Sequence, residues 1–398
     1  MTRILVATMA FDAERGGGSI RIVYDLATAL ARRGHQVTVV CEDMFDSGLG
    51  RHVEEGMTVL RYKLPRAEPL GLWRHEDHLR AVKNLVTRHL MEPPDVVHGH
   101  HLLQYAAVLD MFQQQSRCCY TIHSPAIDEL RITWGAQGMA GKLKSLFGLS
   151  IIRKLEASLL HRSSALAALS VYTTGLIARH YGDAIAQRIH VIPGYADTAL
   201  FQVLGKDQIG AARQQLGWPI DVPGFFVLRR LEPRMGLDNL LHAVSIVKKR
   251  EFNPHIVIGG SGSLKATLTR LRDAIGLQDC VTFMGFVPAA QVPLAFGACD
   301  ATIIPTAQLE CFGLIALESL ACGRPTLVTP VGALPEVMAD FESEWIAQDA
   351  TPEGIADLLV AFLQDRLPTH PPQELHNRVE RKYPFEQAYN AYERLLLG

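Results

Sequence analysis

The chain has 398 residues, enough for two domains with large cores. Hydrophobic residues make up 48% and charged residues 20%, an ordinary balance for a globular protein. A formal net charge of −2 gives nucleic-acid binding no electrostatic support.

The opening apolar run is too short for a signal peptide, and no run reaches the roughly 18 apolar residues of a membrane span. Seven scattered cysteines, an odd number, fit reduced thiols in the cytoplasm rather than a disulfide framework. In chain order, a buried strand is expected over 3–8, then Glu14-Arg15-Gly16-Gly17-Gly18, a helix over 19–33 and a strand over 36–41. Strand, glycine loop, helix, strand is a βαβ unit and implies a parallel sheet. The three glycines of that loop let backbone amides approach a phosphate closely.

Residues 94–101 and 119–125 read as strands running into loops, carrying His98, His100, His101 and His123. Three histidines within four positions invite a metal site, but no H-E-x-x-H helix or cysteine partner supports one. Residues 127–150 mix Trp134, Met139, Leu143, Leu146, Phe147 and Leu149 with Arg131, Lys142 and Lys144. A lid over an acceptor and a membrane-surface segment compete there with an ordinary amphipathic connection, which the short cationic run favours. A helix over 153–163 and a strand over 164–170 follow.

A second α/β series begins near Gly224, with a strand over 225–228 and a helix over 237–249. Their connection carries Arg229, Arg230, Arg234 and Met235. A strand over 255–259 leads to Gly260-Ser261-Gly262-Ser263 at a helix start, and 281–288 is a further strand and turn containing Phe286. The densest stretch comes next: a strand over 301–305, a loop with Glu310, Cys311, Phe312 and Gly313, and a helix over 314–321 that begins at Leu314 and carries Glu318. Cys322-Gly323 and Pro325 end it. The unpaired amides of such a helix start suit an anionic or hydroxyl-rich ligand. Each carboxylate can accept two hydroxyl hydrogen bonds and so hold a vicinal diol. The Glu310–Glu318 pair alone reads equally well as a solvated helix face.

From Glu310 to Pro325 the sequence resembles the E-x7-E signature of retaining, nucleotide-sugar-dependent GT-B glycosyltransferases, closest to the large family four. The resemblance implies an α/β fold of two Rossmann-like domains facing a central cleft. Residues 1–194 would bind the acceptor, 195–382 the nucleotide sugar, and 383–398 would form a helix crossing back to the first domain. It places Gly17 and Gly18 at the donor diphosphate and His123 beside the donor sugar near the leaving phosphate. Glu318 would hold the ribose. Glu310, with amides around Cys311, Phe312, Gly313 and Leu314, would hold the hexose. Gly260 and Phe286 would face phosphate and base.

The family loop G-R-L-x-x-x-K-G puts Arg230 at the diphosphate, but Arg229 replaces its Gly and Met235 its Lys. A thioether donates no hydrogen bond, so Arg229 or Arg234 is expected to supply the second charge. His123, Arg230 and Glu310 are thus the expected catalytic residues.

The reaction implied is retaining hexosyl transfer from a UDP-sugar or similar donor to a glycan, lipid-linked or small-molecule acceptor. It implies no cofactor, no required metal and no nucleic-acid partner. The expected location is cytoplasmic, with peripheral membrane contact as an alternative. A non-catalytic nucleotide-binding scaffold, which Met235 favours, and a sugar phosphorylase or epimerase on the same fold are the competing readings.

Overall fold

The computed structural model describes residues 1–64, 74–136 and 138–398, with side chains other than those of residues 74, 75, 140, 143, 144 and 147. The chain forms two compact units: Met1–Pro193 with Glu386–Gly398, and Gly194–Phe385.

The first unit is built on β1 (Arg3–Ala7), β2 (Gln36–Glu42), β3 (Gly50–Glu54), β4 (Met57–Tyr62), β5 (Val96–Gly99), β6 (Arg117–Ile122), β7 (Ala165–Ala168) and β8 (Ile189–Val191). Their order across the sheet is β3-β4-β2-β1-β5-β6-β7-β8. All neighbours are parallel except β3 and β4. β5 and β7 are buried at every residue, as continuous apolar strands covered on both faces must be. The helix Gly18–Arg32 lays Ile22, Val23, Leu26 and Leu30 against the sheet, the helical spacing legible in the sequence.

The β3–β4 hairpin has no counterpart in the sequence reading. Its turn is Glu55-Gly56, both with positive φ (47° and 78°), a primed turn that matches strand twist. Glutamate is an unusual residue for the first turn position, so the local signal was weak.

Residues 126–162 also correct an expectation. They form two helices, Ala126–Gly135 and Gly138–Arg162, the second running through the span expected as a connection and a shorter helix. Gly141 and Gly148 lie inside it and resemble breaks in the sequence. Leu159 and Leu160 are sealed in the core while Met139 and Leu146 are exposed. Leu143, Lys144 and Phe147 fall outside the described side chains.

The last helix, Phe385–Leu397, buries Tyr389, Tyr392 and Leu396. Arg33 stacks 4.0 Å over the Tyr389 ring and bonds Glu386 (2.5 Å) and Asn390 (2.8 Å), so most of this helix belongs to the first unit.

The second unit holds β9 (Gly224–Leu228), β10 (His255–Gly259), β11 (Val281–Gly285), β12 (Ala301–Ile304) and β13 (Thr326–Val328), all parallel, in the order β11-β10-β9-β12-β13. The helices Leu237–Lys249 and Leu314–Ala321 and the strand β10 coincide with the spans read from sequence. In such a sheet the loops leaving the carboxyl ends of the strands are where ligands bind, and every candidate residue of this unit except Leu314 and Glu318 lies on one of them.

Candidate active site

In the second unit the loops after β9, β10 and β11 are tied together by main-chain bonds. Arg229 N donates to Gly259 O (3.0 Å), Leu231 N to Ser261 O (2.9 Å) and Gly260 N to Gly285 O (2.6 Å). Gly260 has φ +130°, and a Cβ there would lie 1.9 Å from Arg229 O. Only glycine permits that approach. Glu232 fixes the loop from its other side, accepting from Ser263 N (2.9 Å) and Oγ (2.7 Å).

This framework aims Arg229 inward. Its Nη2 donates both to Glu310 Oε2 and to Thr306 Oγ1, and Thr306 Oγ1 donates in turn to Glu310 Oε2 (3.2 Å). The side chains of Arg229 and Glu310 are 6% and 13% exposed, so this is an interior ion pair, and Arg229 Nε is sealed without a partner. Burial on its own would raise the Glu310 carboxyl. Arg229 outweighs it, with Arg234 and Thr306 adding to the effect, and holds the group below its ordinary value. Glu310 is therefore a carboxylate at neutral pH. Oε2 is fully engaged, while Oε1 makes no hydrogen bond among the described residues.

The backbone around Glu310 is equally fixed. Arg234 Nη1 donates to Leu309 O (2.5 Å), and Arg234 O accepts from Ala307 N (3.0 Å) and Gln308 N (3.1 Å). Leu309 takes a positive φ of 52° to make the corner. Ala333 N donates to Glu310 O (2.7 Å), and beside it Gly332 (φ +68°) leaves no room for a Cβ, which would sit 2.1 Å from that oxygen. The structure thus brings Arg229, Arg234 and Glu310 together, two of them arginines that sequence reading held as alternatives. Arg230 is exposed on the same loop, and Met235, only 4% exposed, packs as an apolar residue.

Gly313 caps the helix Leu314–Ala321 in the left-handed region, with no side-chain cap, and Glu318 is half-buried on that helix. Cys311 and Phe312 are buried, and Phe312 meets Tyr383 edge-on at 6.2 Å. They support the loop by packing. Phe286 is 54% exposed.

In the first unit, Gly17 is the cap of the helix Gly18–Arg32, with no acidic residue in the first turn. A Cβ at Gly17 would meet nothing within 4 Å, so packing does not require glycine there and the space in front of it is open. Next to this loop lies an open pocket lined by Asp12, Glu14, Arg15, Tyr24, Glu54 and Arg61, which sequence reasoning missed. Arg61 is buried and paired with Glu54, a contact between strands that no local pattern announces.

His123 follows β6 and belongs to a cluster with His98, His100 and His101 at the carboxyl ends of β5 and β6. His100 Nδ1 lies 3.0 Å from His123 Nε2, and His98 Nε2 lies 2.8 Å from Thr121 Oγ1. Met9 N donates to His101 Nδ1 (3.1 Å). Burial pushes all four down, His98 to about 3 and His101 to about 4. All four are neutral imidazoles at pH 7. No group of three or more histidine, cysteine or acidic residues among the described residues is arranged to hold a metal ion.

Two family models match the chain: Glycosyltransferase Family 4 over residues 16–200, and Glycosyl transferases group 1 over residues 208–382. Between them they take in most of the sequence. Among curated relatives, D-inositol 3-phosphate glycosyltransferase of Segniliparus rotundus is 30% identical over 52% of this chain and 46% of its own length. The chain thus spans about half the length of the first such relatives. A phosphatidylinositol N-acetylglucosaminyltransferase subunit of Arabidopsis thaliana is 24% identical over 96% of this chain and 79% of its own. Of solved structures, sucrose-phosphate synthase from Thermosynechococcus elongatus has a TM-score of 0.79 at 20% identity, covering 99% of this chain and 98% of that one. Anabaena HepE in complex with UDP and glucose has a TM-score of 0.76 at 16% identity, covering both chains fully. These structures show a shared fold.

Proposed function

The chain belongs to family 4 of the GT-B glycosyltransferases, and from that footing we propose that it transfers a hexosyl group from a nucleoside diphosphate sugar to an acceptor hydroxyl, with retention. The observation that carries this reading is the buried Arg229–Thr306–Glu310 arrangement. It keeps Glu310 ionised and orients it while leaving Oε1 to accept from sugar hydroxyls. A fixed carboxylate of this kind positions a hexose without reorganising during the reaction.

Glu318 takes the ribose hydroxyls. Arg230 and Arg234 take the diphosphate as negative charge gathers on the leaving group, where a guanidinium fork matches phosphate oxygens. Arg234, tied by Nη1 to Leu309 O, fills the role of the lysine that Met235 displaces. Arg229 acts one step back, through Glu310. In the first unit, the amides near Gly17 and Gly18 and the imidazole of His123 are the groups this reading assigns to donor binding. The incoming hydroxyl attacks on the face the diphosphate leaves, and the leaving phosphate accepts its proton. A UDP-sugar is the donor this reading favours, in line with the complex of HepE, which shares the fold, with UDP-glucose. The pocket of Asp12, Glu14, Arg15, Glu54 and Arg61 offers both charge types to a polyhydroxylated acceptor.

The buried Met235 favours one second reading, a relative that binds the nucleotide without turning it over. One assay separates the two. The protein is incubated with UDP-glucose or UDP-N-acetylglucosamine, and UDP release is followed with and without candidate acceptors. Binding without release across a broad donor and acceptor panel sinks the transferase reading. Inverted anomeric configuration in the product, read by proton NMR, sinks retention.

A further inference from the structure

The histidine cluster carries information about protons that its distances alone do not state. His100 Nδ1 and His123 Nε2 are 3.0 Å apart, so one donates and the other accepts. The other nitrogen of His100, Nε2, is buried with no partner. A neutral imidazole carries one N–H, which leaves two arrangements. If His123 donated, the His100 proton would sit on Nε2 and an N–H would be buried unpaired. If His100 donates from Nδ1, only a lone pair is left unpaired at Nε2. Orphaned buried N–H groups are the rarer and costlier case. The doubly protonated form of His100 is disfavoured by the same burial, with His98, His101 and His123 close around it.

His100 is itself well held. Its backbone N donates to Ala7 O (2.9 Å), its ring packs 4.0 Å from that of His98, and 2% of the residue is exposed. His123 is half-buried, and its Nδ1 makes no hydrogen bond among the described residues. His101, in contrast, must carry its proton on Nε2, because Nδ1 accepts from the Met9 amide.

We propose that His100 is a positioning residue that holds His123 in its Nδ1–H tautomer, so that His123 presents a neutral N–H donor to its ligand. A donor there bonds a hydroxyl or phosphate oxygen. The opposite tautomer would turn a lone pair towards that oxygen. The catalytic consequence rests on the transfer reading above, while the tautomer stands on the geometry alone.

The test uses the full chain labelled with 15N-histidine, and long-range proton–nitrogen correlations identify the tautomer of each neutral ring. The His123 signals are assigned by their loss in His123→Gln. The wild-type protein is expected to show the Nδ1–H pattern for His123. His100→Ala is expected to shift it towards Nε2–H, and His100→Asn, whose amide offers an N–H near the same place, to restore it. UDP release is expected to fall about tenfold in His100→Ala and to recover in His100→Asn, the scale of one neutral hydrogen bond. An Nε2–H pattern in the wild type overturns the proposal even if His100→Ala fails to fold. So does an Nδ1–H pattern unchanged in a folded His100→Ala. A correct tautomer with no UDP release in the wild type removes the transfer reading and leaves the tautomer assignment standing.

Discussion

Arg229 and Glu310 sit 81 positions apart and form an interior ion pair in which one guanidinium nitrogen serves both the carboxylate and Thr306. The pairing decides what each can do. It ionises Glu310 and withdraws Arg229 from phosphate binding.

Removing Arg229 strands a buried charge. Arg229→Ala is expected to lower unfolding free energy by about 3–5 kcal/mol at pH 7, the usual cost of breaking a buried pair. In the wild type the lowered Glu310 group contributes stability above its unfolded value, lost as pH falls through its folded value. In the variant burial is opposed only by Arg234 and Thr306, the group lies higher than in the wild type, and protonation relieves it. The stability gap between the two proteins should therefore narrow as pH drops through the carboxylate range, in urea melts at stepped pH. A gap independent of pH would count against the pairing.

The two glutamates are expected to separate binding from turnover. Glu310→Gln should lower kcat by tenfold to about a hundredfold, the scale of a hydrogen bond to a charged group, with nucleotide affinity kept. Glu318→Ala should instead weaken nucleotide binding. Calorimetric titration with UDP beside steady-state kinetics reads both, and equal losses of both properties in both variants would contradict these roles.

Arg230 is exposed, so Arg230→Ala should change stability by no more than about 0.5 kcal/mol. The same change removes positive charge from the departing diphosphate and should cut kcat about a hundredfold or more. A thermal melt and a UDP-release assay on one preparation give both numbers. Unchanged turnover would remove Arg230 from the site.

Positive charge at the diphosphate is assigned to arginines and amides. UDP release should then be unaffected by EDTA and unstimulated by added Mg2+ or Mn2+. A tenfold loss on chelation, restored by one of these ions, would overturn that assignment.

The four histidines make acid sensitivity a prediction of the first unit. Each is pressed below the ordinary 6.5, so the unfolded chain binds protons that the folded one refuses. Stability is complete above pH 6.5 and is lost on going down, to about 4 for His101 and about 3 for His98. Each histidine contributes up to about 1.4 kcal/mol per pH unit in that window. Urea unfolding at pH 7 and pH 5.5 should differ by several kcal/mol, and a flat profile would show that the cluster is open to water.

What the sequence revealed was local. Glu310, Gly313, Glu318 and Pro325 lie within one strand-loop-helix segment, so spacing and punctuation were enough to mark them. The partner of Glu310 was not legible, because Arg229 reaches it from another strand's exit loop and only folding brings the two together. The same holds for His100 and His123, which pair across β5 and β6, and for Arg61 with Glu54 across a hairpin whose Glu55-Gly56 turn lacks the usual asparagine or aspartate. The helix Gly138–Arg162 escaped because two interior glycines and apolar residues on several faces blurred its period.

Tyr389, Tyr392 and Leu396 are interior residues of the first unit, yet they are synthesised only after the whole of the second. During synthesis the amino-terminal half must wait, with its docking surface for that helix uncovered, while some 190 intervening residues are made. Nascent chains stalled before residue 386 should therefore bind holdase chaperones more strongly than chains stalled after the helix Phe385–Leu397 has emerged.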